Sequence, residues 1–233
     1  MKLRTRLLFI KHKYEFLLFA LIQHLFIGVF LSDFEIYATI IWPINTLILG
    51  IASVGIFIEK RNKNHLLITI LFLAMLALPL SLPFLERIAL FMQISSIIYM
   101  LFFVFIFWEI IKFLIKPSYI NIDIIIASAC GFFLMIEIST FLMQYVFYYN
   151  PLSFNNLDTS SPVSLFMDLV YYSSILQTTI GFGDITSNTH TTKLLSSFLG
   201  IVGQFYSVVL VGILITKFSG NLNLYKKELG SKK

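Results

Sequence analysis

A chain of 233 residues that is 58% hydrophobic and only 12% charged lacks the polar groups to cover a soluble surface of its size. Its formal net charge is +5, but the basic residues recur between apolar runs and do not form the single patch that nucleic acid would need. Composition therefore excludes an ordinary soluble domain and points to an all-α membrane protein.

A hydrocarbon core of ~30 Å takes ~20 apolar residues to cross, and six stretches reach or approach that length. They run over 14–31, 36–58, 66–85, 88–115, 121–149 and 191–218. Lys2, Arg4, Arg6, Lys11 and Lys13 precede the first. Small-residue cleavage spacing is missing after it, and Leu31-Ser32-Asp33-Phe34-Glu35 follows, so it reads as a span and not a cleaved leader. Lys60, Arg61 and Lys63 separate the second and third spans, Lys112 and Lys116 end the fourth, and Lys217, Lys226, Lys227, Lys232 and Lys233 follow the sixth. Only Arg87 and Lys193 fall on the opposite side. The positive-inside rule then places both termini in the cytoplasm of a multi-pass cell-membrane protein. The outer loops carry Asp33, Glu35, Glu86, Asp158 and Asp184, so the outer face is acidic.

A seventh apolar stretch, about 162–177, is too short to span and too apolar for a solvated loop. Ser160-Ser161-Pro162 before it supplies a helix cap and a proline suited to the first turn. It reads as a re-entrant helix entering from outside and ending near Gln177. Three regions follow: a four-helix transmembrane region over 1–116, a region of two spans and the re-entrant helix over 117–220 and a short tail over 221–233. The tail is too short to hold a folded ligand-sensing domain.

After that helix comes Thr178-Thr179-Ile180-Gly181-Phe182-Gly183-Asp184. Backbone carbonyls can replace an ion's water shell if consecutive residues turn them to one side. Glycine at alternate positions allows this, because it accepts left-handed geometry that other residues resist. The partly negative C-terminal end of the short helix would face the membrane centre, where a cation is worst solvated.

This heptad resembles the signature of the tetrameric potassium channel superfamily, whose common form is Thr-Val-Gly-Tyr-Gly-Asp. The resemblance covers about 121–219: outer helix, pore helix, filter and inner helix, as in bacterial six-transmembrane members. Phe166-Met167-Asp168-Leu169-Val170-Tyr171-Tyr172-Ser173 resembles the pore helix, and Gly200-Ile201-Val202-Gly203-Gln204-Phe205-Tyr206 the inner helix. The resemblance implies a potassium-selective channel subunit, with potassium held at Thr179, Ile180, Gly181 and Phe182, and Gly183 closing the filter. It implies a ring of four copies of this chain in a lipid bilayer, with potassium as the permeant ligand and no other cofactor or nucleic acid.

Supporting residues follow from the same resemblance. Thr178 and Asp184 flank the filter, and Tyr171 and Tyr172 occupy the aromatic collar. A bond from Tyr171 to Asp184 and a plain interfacial tyrosine are both open readings. Phe182 has no hydroxyl, so its bracing differs from that of relatives with tyrosine, and slow inactivation is an expected consequence. Ile175 stands where some relatives carry a glutamate. Gly203 is the expected gating hinge, with close packing the alternative, and Gly200 the reverse.

Glu137 lies near the middle of span five, where a carboxylate needs a partner. Its depth matches that of Gln204, and a protonated Glu137 is expected to bond Gln204 or Tyr206; a pH-sensing role is the other reading. Asp168 reads as structural, and Glu109 with Lys112 as a helix-surface pair. His12, His24, His65 and His190 lack metal-ligand spacing. Span four has no Arg or Lys before Lys112, so steep voltage gating is not expected. No catalytic constellation stands out. The alternatives to potassium conduction are a weakly selective cation channel, or a scaffold or regulatory subunit that joins other channels.

Overall fold

The computed structural model describes residues 11–30, 36–57, 88–116 and 121–230, with scattered positions between 69 and 85. The third expected span, 66–85, lies largely outside them. So do Lys60, Arg61, Lys63, Asp33, Glu35, Glu86, Arg87 and His65.

The described chain is built almost entirely from helices, as long apolar runs with few interruptions dictate. Helix α1 covers Lys13–Phe26 and passes into a 3-10 turn at Ile27–Phe30. A π turn at Tyr37–Ile41 leads directly into α2, Trp42–Phe57, so Pro43 lies inside one continuous helical run, and the π turn falls just before the position where proline removes an i→i−4 donor. Helix α3 spans Ala89–Ile115, α4 spans Ile122–Tyr149, α5 spans Pro162–Gln177 and α6 spans His190–Gly230. Asn121 caps α4 by accepting from the Ile124 amide at 3.0 Å. Four stretches among the described residues are long and apolar enough to cross a membrane: Lys13–Phe30, Ala89–Ile115, Ile122–Tyr149 and His190–Ser219.

Helix α6 does not stop near 218. No proline interrupts 219–229, and the backbone stays helical until Gly230, a residue type that commonly closes helices. Most of the stretch expected as a separate tail therefore continues the inner helix.

Helix α4 is the hub, packing against α1, α3, α5 and α6. One apolar core gathers α1, α2, α3 and α4 around Leu17, Leu21, Phe103 and Phe141, and takes in Val163, Phe166 and Val170 from α5. A second core lies under the loops flanking α5, with Met143, Phe147, Phe154, Leu169, Tyr172, Ile185 and Leu199. Glycine notches permit the closest crossings. A Cβ on Gly131 of α4 would run into the Tyr206 ring, 2.9 Å from Cζ, so α6 seats against α4 only because position 131 has no side chain. The Tyr206 hydroxyl donates to the Ser128 carbonyl at 2.8 Å.

Two short strands, β1 at Phe154–Asn155 and β2 at Thr186–Ser187, pair antiparallel, with Phe154 opposite Ser187 and Asn155 opposite Thr186. They tie the loop before α5 to the segment after it.

Candidate ion filter and its surroundings

The geometry starts with α5. Ser161 holds extended backbone and accepts from the Ser164 amide at 3.0 Å, and Pro162 fills the first turn, where a missing N–H costs nothing. At the other end the last carbonyls of the helix have no intrahelical partner. The following segment supplies donors. The Thr179 amide donates to the Leu176 carbonyl at 3.1 Å, and the Ile175 carbonyl accepts from Ile180 at 2.9 Å and Gly181 at 3.3 Å. Thr178 folds its hydroxyl back onto the Ser174 carbonyl at 2.8 Å. Ile175 is buried and serves through its carbonyl.

Beyond the helix the backbone reverses hand at every second residue. Thr179, Gly181 and Gly183 have φ of 60°, 55° and 81°. Such alternation lets successive carbonyls share one side of the strand, which a regular helix or strand cannot achieve. The glycines accept it freely, whereas Thr179 is a β-branched residue in a region it resists. Residues 178–184 are exposed on the single chain, and a Cβ on Gly181 or Gly183 would meet nothing within 4 Å. Phe182 has no hydroxyl and its side chain is exposed.

At the outer end the Tyr171 hydroxyl donates to Asp184 Oδ2 at 2.5 Å. That donor holds the Asp184 carboxyl below the usual carboxylate range. Asn156, the other non-glycine residue with positive φ among those described, donates its amide to the Asp184 carbonyl at 2.7 Å. Asp168 accepts from the Asp158 amide at 2.7 Å, and the Ser160 backbone amide and hydroxyl hold the Asp158 carboxyl low. Tyr172 is buried, and its hydroxyl joins Ser187 Oγ and Ser196 Oγ, each at 2.7 Å, in a triangle whose third side is 2.8 Å. Strand β2 is thus fastened to α6.

Several expected partnerships fall out differently. Glu137 meets neither Gln204 nor Tyr206. It lies 2.7 Å from His24 Nδ1 on α1, while Gln204 sits on the exposed face of α6 and Tyr206 bonds Ser128. Sequence separation had matched depths along the helices but carried no information on which face of α4 position 137 occupies. Lys112 does contact Glu109, at 2.6 Å, but the carboxylate is 8% exposed and belongs to a buried face. Gly203 is the tight crossing of the two glycines. A Cβ there would lie 3.1 Å from Gln177 Cβ, against 3.6 Å from Leu176 at Gly200. Helix α6 runs unbroken through both.

Sequence reasoning passed over three residues at this site. Gln177 ends α5 with its amide bonded to α4. Asn156 and Ser196 act only through loops and helix faces that no local pattern brings together. The His24 partnership had a weak signal, since an ionisable residue in an apolar span calls for a counterpart in another span.

A family model described as ion channel matches residues 125–219, under half of the chain and taking in α5, the alternating segment and most of α4 and α6. No curated protein and no solved structure matches the chain. The matched stretch is similar to an ion channel domain, and the helices long and apolar enough to cross a membrane lie within and before it.

Proposed function

We propose that the chain is one subunit of a potassium-selective channel, with four copies surrounding a filter formed by Thr179, Ile180, Gly181, Phe182 and Gly183. The observation that carries this reading is the reversal of backbone hand at Thr179, Gly181 and Gly183 directly after a short capped helix. A potassium ion sheds water to enter a narrow pore, and rings of carbonyls replace that shell. One chain supplies one wall of such a ring, so closure calls for rotational symmetry among identical subunits. The exposed apolar face of α6, including Ile201, Phe205 and Val208, and the exposed Ile180 and Phe182 give the neighbouring subunits a surface to cover.

In this arrangement α5 is re-entrant, and its C-terminal partial charge lowers the energy of a cation below the filter. Asp158 and Asp184 gather cations at the outer mouth, with the termini on the cytoplasmic side. Helix α3 carries no Arg or Lys before Lys112, so the field across the membrane has little charge to move there. Opening depends on something other than a steep voltage sensor.

Reconstitution of the full chain in liposomes tests the reading. A potassium gradient is expected to drive thallium or potassium flux, with a reversal potential that ignores sodium. Flux that tracks sodium equally would favour a weakly selective cation channel. Absence of any flux from well-assembled protein would favour a regulatory subunit.

A further inference from the structure

We infer that Gln177 is a positioning residue for the filter: its side-chain amide locks the end of α5, and with it Thr178 and Thr179, onto the outer helix. The inference rests on the reading of residues 179–183 as an ion filter.

Gln177 is 1% exposed. Its Nε2 donates to the Met135 carbonyl at 2.7 Å and to Ser139 Oγ at 2.6 Å. A primary amide has two N–H groups, and both are used here, one on each acceptor. The acceptors sit four residues apart on α4, so they lie one above the other on the face that meets α5. On the opposite flank Gly203 of α6 comes so close that a Cβ would lie 3.1–3.3 Å from Gln177 Cβ, Cγ and Cα. The side chain is bonded to α4 and closely approached by α6 at Gly203.

Bulk alone does not account for an amide at this place. Gln177 Oε1 is buried and has no hydrogen-bond partner. A methionine would fill similar space and leave no oxygen unpaired. The amide supplies direction: two donor bonds to fixed acceptors set the rotation of the last turn of α5. Thr178 and Thr179 follow in the chain, and Thr179 already holds a backbone angle that its side chain resists. Rotation of that last turn would carry straight into the Thr179 carbonyl, the inner edge of the filter. The number and arrangement of carbonyls around the ion set which cation such a ring prefers.

The test uses the full chain reconstituted in liposomes and compares wild type with Gln177→Met, Ser139→Ala and the double variant. Gln177→Met removes both donors and keeps length; Ser139→Ala removes one acceptor and barely changes packing. The potassium-to-sodium permeability ratio is expected to fall about fivefold to tenfold in Gln177→Met and about twofold to fivefold in Ser139→Ala. The double variant is expected to be no worse than Gln177→Met, because Ser139 acts through the amide. Assembly yield and thermal midpoint serve as the control for a merely structural role. Unchanged permeability ratios, with any loss confined to yield or thermal midpoint, would overturn the inference. Should Gln177→Met fail to assemble, Ser139→Ala decides alone, an unchanged ratio overturning it and a reduced one supporting it. A wild-type protein without potassium preference removes the filter reading and the inference together. A selective wild type with unaffected variants removes the inference only.

Discussion

His24 Nδ1 on α1 lies 2.7 Å from Glu137 Oε1 on α4, and both side chains are sealed from the surface. The histidine ring meets Trp42 of α2 edge-on at 5.7 Å and Phe166 of α5 at 5.8 Å. One polar contact inside an aromatic shell thus links α1 and α2 to α4 and α5. Cutting either partner leaves the other polar and unpaired in an apolar core. His24→Leu and Glu137→Leu are each expected to lower stability by ~1–3 kcal/mol, and the double variant by clearly less than their sum. Thermal unfolding of the detergent-solubilised protein measures this; simple additivity would show that the two side chains do not act as a pair.

The Gly131 notch predicts a second asymmetry. Gly131→Ala has to displace Tyr206 and break its bond to Ser128, at a cost of ~1–3 kcal/mol in the same assay. Tyr206→Phe added to Gly131→Ala restores part of the loss, since it removes the hydroxyl that meets the new methyl. A variant Gly131→Ala as stable as wild type would mean that the α4–α6 crossing is looser than this geometry.

Gly203 and Gly200 separate by the same logic. Gly203→Ala pushes on Gln177, whose neighbours hold it from behind, and is expected to cost ~1–3 kcal/mol. Gly200→Ala meets Leu176 at ordinary contact distance and is expected to be neutral or slightly stabilising through helix propensity, by under about 1 kcal/mol. Equal effects at the two positions would dissolve the distinction. A gating change in Gly203→Ala without loss of stability would instead favour the hinge.

The outer mouth has a defined response to acid. Tyr171 donates to the charged form of Asp184, so the folded carboxyl titrates below its ordinary value. A depressed carboxylate contributes its stability above the ordinary value of ~4 and loses it as pH falls through the folded one. In the proposed channel, decay of the potassium current is therefore expected to be constant from about pH 7 to about pH 5 outside, and to quicken only below about pH 4. Tyr171→Phe removes the donor, so decay is faster at neutral pH and the acid midpoint moves upward. Identical midpoints in the two proteins would count against the bond as the cause.

The parts of this fold that the sequence makes plain are those encoded locally. Ser161, Pro162 and the apolar run after them specify α5 to the residue, and Asn121 does the same for the start of α4. The Gly181 and Gly183 spacing announces the alternating backbone, although nothing in it reveals that Thr179 joins the alternation. What stays hidden is rotational. In α4 nearly every position is apolar, so no amphipathic stripe tells which face turns to α1 and which to α6. Glu137 could be assigned a depth but not a direction, and its partner His24 lies more than a hundred residues away in the chain. The grip of Gln177 on Met135 is illegible for a related reason, since a backbone carbonyl four turns into a helix carries no residue-type signature. Helix α6 outruns the apolar stretch 191–218 because an apolar run marks where a membrane ends, and not where a helix does.

The mixture of residue types at the three reversed positions has a mechanical result. Gly181 and Gly183 hold left-handed backbone without resistance and could leave it as easily, while Thr179 carries a β-branched side chain with few rotamers and little backbone freedom. The strand is therefore compliant toward its outer end and stiff toward its inner end. Thermal disorder is expected to be graded along it, larger at Gly181 and Gly183 and smaller at Thr179.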